Sequence, residues 1–439
     1  MFVRGMVFLS CLVCLLVNGS MAATADSTSD IQTSVHAMGA LQAGEIVHGW
    51  DRGSKNIGEP TVSHVWQQRL YMQLTFNAVV NQRARIVVSG ELNMDCSWTK
   101  QQEEYESEVP RYEFYPNDVE GSYAFLGEPV NPALALTAGY FPFKYNQDVR
   151  NLGEYLYRTG TYPGYMINKF DYPLNRLLGL KLSSTLFSCL HQDLMLTSET
   201  FITPLQDWGL SYLVSFNSAD KIIDIGAGIF MSHQFSINRN FTTPRDGNNR
   251  MPIDSLHTDT SYYTFKGTKL MARFAFDPKP LISTDIFGKN DLRLYGEAAI
   301  IGLKNYRGYY DSLWQRIPVM IGFNIPAFKL FDVLAVEVEW YGSPWPNSYF
   351  NVFRLTNLPL PVDTLKQGEP RDGGIDYTRD NWKWSVYARR ELAGCFSITA
   401  QVANDHVRLL RFRPTYDGCE EALRAPGNWW YILKLGFFF

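Results

Sequence analysis

The sequence predicts an all-β protein, a single antiparallel transmembrane β-barrel of about 16 strands. Three observations support this prediction. Apolar residues recur at every second position through much of the chain, the segments with this alternation are joined by alternately short and long links, and the chain ends on one more such segment, NWWYILKLGFFF. A period of two is the side-chain pattern of a β-strand with one apolar face.

The N-terminal residues are typical of a secretory signal peptide. One basic residue precedes an apolar stretch over residues 6–17, and small residues follow. The apolar stretch is too short to span a membrane as a stable helix. We therefore predict a signal peptide over residues 1–22, with cleavage after Ala25 as the alternative. An N-terminal periplasmic segment is predicted over residues 23–42, and the barrel with its long extracellular loops over residues 43–439.

The composition of the chain excludes several classes of protein. Hydrophobic residues make up 46% of it, charged residues only 19%, and the formal net charge is -4. This balance does not fit a nucleic-acid partner or a disordered chain. After the signal peptide there is no apolar run of about 18 residues, so membrane insertion would have to use strands. No linker-like stretch divides the sequence, which favours one large domain.

The clearest alternation is a hairpin over residues 69–95. Apolar residues from Leu70 to Val80 form one face of its first arm, polar residues form the other, and the pattern resumes after a two-residue turn at Asn81 and Gln82. Each arm has about 11 residues, the length of a tilted strand that crosses a bilayer. Strands of soluble proteins usually have about 5 or 6 residues. The hairpin therefore favours a membrane barrel.

The same pattern predicts strands along the rest of the chain. They are placed at residues 43–50, 68–80, 83–95, 119–127, 133–142, 178–188, 191–202, 208–217, 221–232, 260–277, 290–303, 316–324, 331–342, 380–390, 395–404 and 428–439. Links after even-numbered strands are mostly short, with 278–289 as the outlier, and links after odd-numbered strands are mostly long and polar. This rhythm predicts a barrel in the bacterial outer membrane with both termini in the periplasm.

The last strand carries a resemblance to a known family. It resembles the final strand of outer-membrane porins, which ends in Phe after apolar residues at alternating positions. The matching residues are Tyr431, Leu433, Leu435, Phe437 and Phe439. The resemblance implies that this strand is read by the barrel-assembly machinery. We expect its odd-numbered residues to face outer-membrane lipid and Lys434 to face the lumen.

A second resemblance concerns the layout of the loops. In general 16-stranded porins the third external loop, after the fifth strand, folds into the lumen and narrows it. Here the third long loop is residues 143–177, within which Val149, Leu152 and Leu156 are spaced as in a short helix. The resemblance implies that this loop constricts the pore. The candidate constriction residues are Asp148, Arg150, Glu154 and Arg158 on the loop, facing Arg85, Glu91 and Asp95 on the third strand.

These features predict a porin or channel for passive diffusion of small polar solutes through a water-filled lumen narrowed by loop 143–177. The alternative is a plugged barrel that acts as an outer-membrane anchor or adhesin through its long loops. Basic and acidic candidates for inward positions are too evenly balanced to assign an ion preference. The solute, the pore radius and the formation of a homo-oligomer are left open.

The sequence gives no support for an enzyme, a cofactor or a metal site. Its His residues show no paired spacing for a metal, and no Ser-centred elbow motif is present. Four cysteines follow the signal peptide, and their wide spacing matches no zinc pattern. Whether Cys96 and Cys419 are bridged is left open.

Overall fold

The computed structural model describes most of the predicted strands and part of their links. The described residues are 31–49, 62–101, 104–107, 111–129, 131–157, 175–198, 207–218, 220–235, 237, 251–252, 262–263, 266–282, 285–304, 310–343, 381–405, 423 and 427–439. The predicted signal peptide lies outside these ranges.

Sixteen strands form one closed antiparallel sheet, numbered here β1 to β16 in chain order. Their bounds are Ile31–Gly49, Val62–Val80, Ala84–Gln101, Arg111–Gly127, Pro132–Phe143, Asn175–Leu186, Leu190–Ser198, Trp208–Asn217, Ile223–Phe235, Gly267–Phe276, Leu294–Ile301, Val319–Asn324, Val333–Trp340, Trp382–Leu392, Phe396–Asn404 and Trp429–Phe438. The prediction of an all-β barrel of about 16 strands is confirmed.

Only short elements accompany these strands in the described ranges. Glu104–Ser107 pairs with the end of β3, and Met251–Pro252 pairs with Tyr262–Tyr263. Single 3-10 turns occur at Lys279–Leu281 and Leu313–Arg316. None of the helical segments described here has the length and apolar character that crossing a membrane requires.

Each barrel strand is paired with the next, and β16 is paired with β1. The closure extends to the last residue of the chain. The backbone N–H of Phe439 donates to the Ala37 carbonyl oxygen at 2.8 Å, and the N–H of Ala37 donates to the Phe439 carbonyl oxygen at 2.9 Å. Closure removes the unpaired edges that an open sheet would expose, which is the condition for a sheet inside a bilayer.

The two faces of the sheet differ as the alternation predicts. On β2, Leu74 points outward and is 58% exposed, whereas Tyr71, on the opposite face of the strand, points inward and is 6% exposed. On β16 the outer face carries Leu433 and Leu435, and Lys434 between them is buried on the inner face. The barrel therefore presents an apolar outer wall and encloses polar and charged residues.

The short turns adopt the geometry that tight hairpins require. Asn81 and Gln82, predicted as the turn of the first long hairpin, have φ values of 49° and 59°. Two successive residues with positive φ form the turn whose twist matches that of the flanking strands. Asn tolerates this conformation better than most residues do, so the turn between β2 and β3 is confirmed.

The first strand begins earlier than predicted. β1 starts at Ile31, so residues 31–42 belong to the barrel rather than to a periplasmic segment, and they pair with the second half of β2. The outward residues Ala37 and Gly39 in this part are small. Small residues weaken the apolar alternation, and the backbone pairing with β2 and β16 determines the strand instead.

Deleting Phe439 should impair assembly of the barrel, because it removes two backbone hydrogen bonds to Ala37 at the closing seam. In hydrocarbon each unpaired backbone group costs several kcal/mol. Assembly can be measured as the folded, heat-modifiable fraction in an electrophoretic gel of outer membranes.

The matched control is Phe187→Ala, since Phe187 is a turn residue that is 87% exposed. A truncated chain that assembles as well as the control would contradict a role of Phe439 in closure.

Candidate functional site: a chain segment inside the barrel

Residues 144–157, which follow β5, pack against the inner wall of the barrel. Val149, Leu152, Tyr155 and Leu156 are completely buried there. They join inward apolar residues in one cluster: Phe141, Met195, Leu213, Phe230, Met271, Tyr295 and Met320. We call residues 144–157 the inserted segment. Its apolar side chains attach it to one side of the lumen.

A single carboxylate holds the centre of the inserted segment. Glu337, on the inner face of β13, accepts hydrogen bonds from the backbone N–H groups of Arg150, Asn151 and Leu152, the latter two at 2.8 and 2.9 Å. The hydroxyl of Tyr295 donates to the same carboxylate at 2.8 Å. A carboxylate that accepts several N–H groups is a strong and directional anchor.

The neighbouring carboxylates extend this anchoring along the wall. Glu339 accepts from the Tyr155 hydroxyl at 2.7 Å and from the Gly153 N–H at 3.3 Å. Glu297 accepts from the Asn146 side-chain amide at 3.0 Å. Gly153 has a φ of 89° and lies so close to Glu297 that a Cβ would be 2.3 Å from its carboxylate oxygen. A glycine is therefore required at this position, both for backbone conformation and for space.

This arrangement explains why the segment is not a helix. The spacing of Val149, Leu152 and Leu156 predicted a short helix, but residues 144–157 form turns and bends. Gly153 and Glu154 have φ values of 89° and 59°, outside the right-handed helical region, so a helix cannot continue from Leu152 to Leu156. The N–H groups of residues 150–152 are bound by Glu337 on the wall of the barrel.

The start of the segment is fixed by Tyr145. Its hydroxyl lies 2.7 and 2.8 Å from the carbonyl oxygens of Val214 on β8 and Ala227 on β9, which share its one proton as acceptors. Burial raises the pKa of Tyr145 well above its ordinary value. Gly226 makes room for this contact, since a Cβ there would lie 2.4 Å from the hydroxyl. The phenol thus remains a neutral hydrogen-bond donor.

Charged residues of the segment are also engaged. Asp148 forms an ion pair with Arg293 at 2.9 Å. Burial nevertheless raises the pKa of Asp148, with Arg293 opposing the shift. Lys144 donates to the carbonyl oxygen of Val149, and burial lowers its pKa to about 7. Glu154 accepts from the backbone N–H groups of residues 145 and 146. These charges brace the segment.

The predicted constriction residues fall into different places. Arg150, predicted to stand opposite or beside the charges of β3, has its backbone N–H bound at Glu337 of β13. Arg85 donates to Asn77 on the neighbouring strand at 2.8 Å. Glu91 lies 3.9 Å from Arg176. Arg158 lies outside the described residues, and Asp95 is described only by its backbone position on β3.

The odd-numbered residues of the last strand lie on the outward face that the alternation predicted. Tyr431, Leu433, Leu435, Phe437 and Phe439 alternate with buried inward residues along β16. Their exposed side is the outer wall. The hydroxyl of Tyr431 donates to Glu45 on β1 at 2.8 Å.

The sequence did not single out the residues that anchor the segment. Glu337 and Glu339 are two of several acidic residues that the alternation places on inner faces, and Asp405 lies beyond the end of its strand. Asp405 follows β15 and accepts from the Asn151 amide and the Trp430 indole N–H, both at 2.8 Å. The one available signal was the spacing of Glu337 and Glu339, since two acids at alternate positions share the inner face.

Other predicted features bear little on this site. Cys189 and Cys395 are free thiols, and the side chains of Cys96 and Cys419 lie outside the described residues. Within the described ranges, no three side chains of His, Cys, Asp or Glu are grouped so as to hold a metal ion.

This chain is similar, at a low TM-score, to solved structures of a porin. A mutant of the Rhodopseudomonas blastica porin is 10% identical to this chain, with 93% of this chain and 100% of that chain covered and a TM-score of 0.40. A triple mutant of the same porin is 9% identical at the same coverage and TM-score. No family model and no curated protein sequence matches the chain. The closed sixteen-strand barrel is itself the porin-like architecture that the sequence predicted.

Glu337→Ala should release the inserted segment. The change leaves three buried N–H groups and one hydroxyl without this acceptor, at about 1–3 kcal/mol for each group that stays unpaired. Trypsin should then cleave after Lys144 or Arg150 in folded, detergent-solubilised barrels, which can be followed by mass spectrometry. Glu391→Ala is the control, because Glu391 is an exposed residue near the end of β14. Equal protection of the segment in both variants would show that Glu337 is not its anchor.

Lys144 should titrate near neutral pH in the folded protein. Burial lowers its pKa from 10.5 to about 7. Between these two values the unfolded chain binds more protons than the folded one, so the stability should rise as the pH increases from about 7 towards 10. NMR titration of labelled lysine side chains should show one midpoint near 7 that is missing in Lys144→Met. A spectrum in which every lysine titrates above pH 9 would contradict the lowered pKa of Lys144.

Proposed function

We propose that this chain is an outer-membrane channel through which small polar solutes diffuse passively, with a water-filled lumen narrowed by loop 143–177. The observation that carries the proposal is the binding of three consecutive N–H groups of the inserted segment by Glu337 on the inner wall. A segment fixed in this way reduces the cross-section of the barrel at a defined place.

The side of the lumen that remains is polar. The inserted segment packs mainly against inward residues of β7 to β13, with one further contact from Asn151 to Asp405 after β15. We assign the passage to the opposite side, along β14 to β16 and β1 to β4. Gln42, Gln73 and Thr399 face inward there. Hydroxyl and amide groups can replace part of the hydration of a polar solute.

The same reasoning supports the proposed location in the outer membrane and the proposed orientation of the barrel across it. The outer wall is apolar, so we assign it to outer-membrane lipid, and the aromatic residues Trp429 and Tyr431 on it suit the membrane interface. The short turns and both termini are assigned to the periplasm, and the long loops to the exterior. Recognition of the last strand by the barrel-assembly machinery belongs to this proposal.

A second candidate, a plugged barrel that serves as an anchor or adhesin, is favoured by one observation. Polar residues on the wall opposite the inserted segment are almost completely buried: Asn93 and Gln401 are 1% and 2% exposed, and Thr399 is 0% exposed. A wide aqueous lumen would leave such side chains wetted. The passage is therefore either narrow or closed at this level, and a conductance measurement separates the two candidates.

We infer that the protein is not an enzyme. His191 on the inner wall lies 3.2 Å from Thr185 and 3.2 Å from Asp193. The three side chains resemble a catalytic triad, with Thr185 as the nucleophile, His191 as the base and Asp193 as the acid. All three sit in register on paired strands, where polar neighbours bond to each other as a matter of course. This explains the cluster as bracing of the wall.

Deleting residues 148–162 should raise the single-channel conductance in planar bilayers and weaken ion discrimination, because the deletion removes the segment that narrows the lumen. Folding of the variant is checked by heat-modifiable migration.

The wild-type protein supplies the comparison. Unchanged conductance in a correctly folded variant would refute the constriction role. A wild-type barrel that inserts without conducting would favour the plugged barrel instead.

A further inference from the structure

We propose that two links at the periplasmic end of the barrel form a phospholipid-binding surface, which completes the apolar outer wall where its strands are shortest. The links are residues 277–293 after β10 and residues 325–332 after β12, and we call them the rim links. Residues 283 and 284 lie outside the described ranges. The inference rests on the proposed membrane location and orientation of the barrel, and it adds residues outside the strands to the surface that meets lipid.

Aromatic residues mark the external edge of the apolar band on this side of the barrel. Trp340 on β13 and Trp382 on β14 are opposite each other, and Val319 at the start of β12 is opposite Trp340. Trp382 is 61% exposed on the outer wall. Trp side chains collect at the boundary between hydrocarbon and water. The level of Val319 is therefore the external boundary of the band in this sector.

Measured from this boundary, the strands end before the band does. β12 has 6 residues, and β11 and β13 have 8 each. At about 3.3 Å per residue and a tilt of about 40°, these strands cover about 15 to 20 Å along the barrel axis, whereas the apolar band of such barrels is about 25 Å tall. Backbone bonds of Leu292 and Ile325 extend the pairing by only one or two residues. The periplasmic edge of the band therefore lies at the level of the rim links.

The rim links carry exposed apolar side chains at this level. Six side chains are between 39% and 73% exposed: Leu281, Ile282, Ile286, Phe328, Leu330 and Phe331. The outer face of β12 ends in Phe323, which is 38% exposed, so the apolar surface of the wall continues into the links. A contiguous apolar surface of this kind marks a contact with a protein or a membrane. Its continuity with the lipid-facing wall favours the membrane.

Contacts between the two rim links hold them together as one surface. The Asp291 carboxylate accepts the backbone N–H of Gly288 at 2.8 Å and that of Phe328, on the other link, at 3.1 Å. The rings of Phe287 and Phe328 are stacked, with their centres 5.9 Å apart. Asp291 is only 1% exposed. The exposed apolar side chains therefore stand on a folded support.

Ion pairs tie the rim links to the ends of the neighbouring strands. Lys279 lies 2.8 Å from Asp277, the residue that follows β10. Arg390 on β14 lies 3.5 Å from Asp332 and donates to the carbonyl oxygen of Lys329 at 2.7 Å. These charged groups have a structural role and are engaged within the protein.

Three further charged side chains of the rim links are exposed. They are Lys289, Lys329 and Asp285. None of the three forms an ion pair with another residue that the structure describes. A lysine can lay its aliphatic stem along an apolar layer and present its ammonium to a lipid phosphate. Exposed apolar side chains beside two such lysines fit a phospholipid of the periplasmic leaflet, with its chains against the former and its phosphate near the latter.

The test is photo-crosslinking in outer membranes isolated from producing cells. The photoreactive residue p-benzoylphenylalanine replaces Leu330, which is 73% exposed. After irradiation, the purified barrel is analysed by mass spectrometry, and adducts with the mass of a phospholipid are expected. A crosslink to a periplasmic protein or to a second copy of the chain in place of lipid would overturn the proposal.

Two control sites separate this inference from the proposed function. Leu433, which is 50% exposed on the outer wall, should give phospholipid adducts, and Asp220, exposed in the turn between β8 and β9, should give none. Adducts at Leu433 without adducts at Leu330 would overturn the lipid contact of the rim links alone, and so would equal labelling at Asp220 and Leu330. If Leu433 gives no lipid adduct either, the proposed membrane location of the outer wall fails.

The thickness of the bilayer provides a second test. Leu281→Ser and Leu330→Ser combined should lower the folded fraction in dioleoylphosphatidylcholine vesicles about twofold or more, since the thicker hydrocarbon layer reaches the links. In the thinner dilauroylphosphatidylcholine the variant should fold as the wild type does. Phe187→Ser is the control, because Phe187 is an exposed turn residue beside β6 and β7, which have 12 and 9 residues. It should fold equally in both lipids.

A loss of the same size in both lipids would show that Leu281 and Leu330 are needed for folding itself. No loss in either lipid would show that they do not contact hydrocarbon. Each of these two results would overturn the proposal.

Discussion

The backbone of a strand in hydrocarbon must satisfy all its hydrogen bonds within the protein, because lipid tails offer no donor or acceptor. The whole structure follows from this constraint. It requires β1 to pair with β16, which carries the pairing to the last residue, Phe439. It also sets the extent of β1, whose small outward residues give little apolar signal but whose backbone has to pair with β2 on one side and β16 on the other.

The same requirement applies to the inserted segment, which lies inside the barrel. The inserted segment has no regular secondary structure, and its N–H groups are buried away from bulk water. Carboxylates of the wall take the place of backbone acceptors, with Glu337 serving three N–H groups at once. Irregular backbone at membrane depth is tolerated where protein supplies its partners. The acids of β11 and β13 are thus used for structure.

The inner wall carries both signs of charge on each side of the barrel. Glu297 and Glu337 lie where the segment binds, and Arg273 is buried opposite Glu297 on the neighbouring β10. Glu91 and Lys434 are both buried on the other side. The near-even count of inward charges along the chain is thus matched by a mixed arrangement around the wall.

The sequence by itself determined the fold, because side-chain alternation and turn chemistry are local properties. The long hairpin with its turn at Asn81 and Gln82, the even number of strands, and the outward face of the last strand were all predicted from residue order. The place of the loop after the fifth strand could also be anticipated. Its predicted helix was wrong, since helical spacing says nothing about acceptors that a distant strand will provide.

Only the tertiary structure decided which residues meet. Glu337 is far from residues 150–152 in sequence, and no local pattern links them. Strand register places Lys434 and Arg69 on either side of Gln42, although they come from opposite ends of the chain. Alternation fixes the face on which a side chain lies, but not its height relative to neighbours. The register of the paired strands and the closure of the barrel fix this height, and both exist only once the barrel has formed.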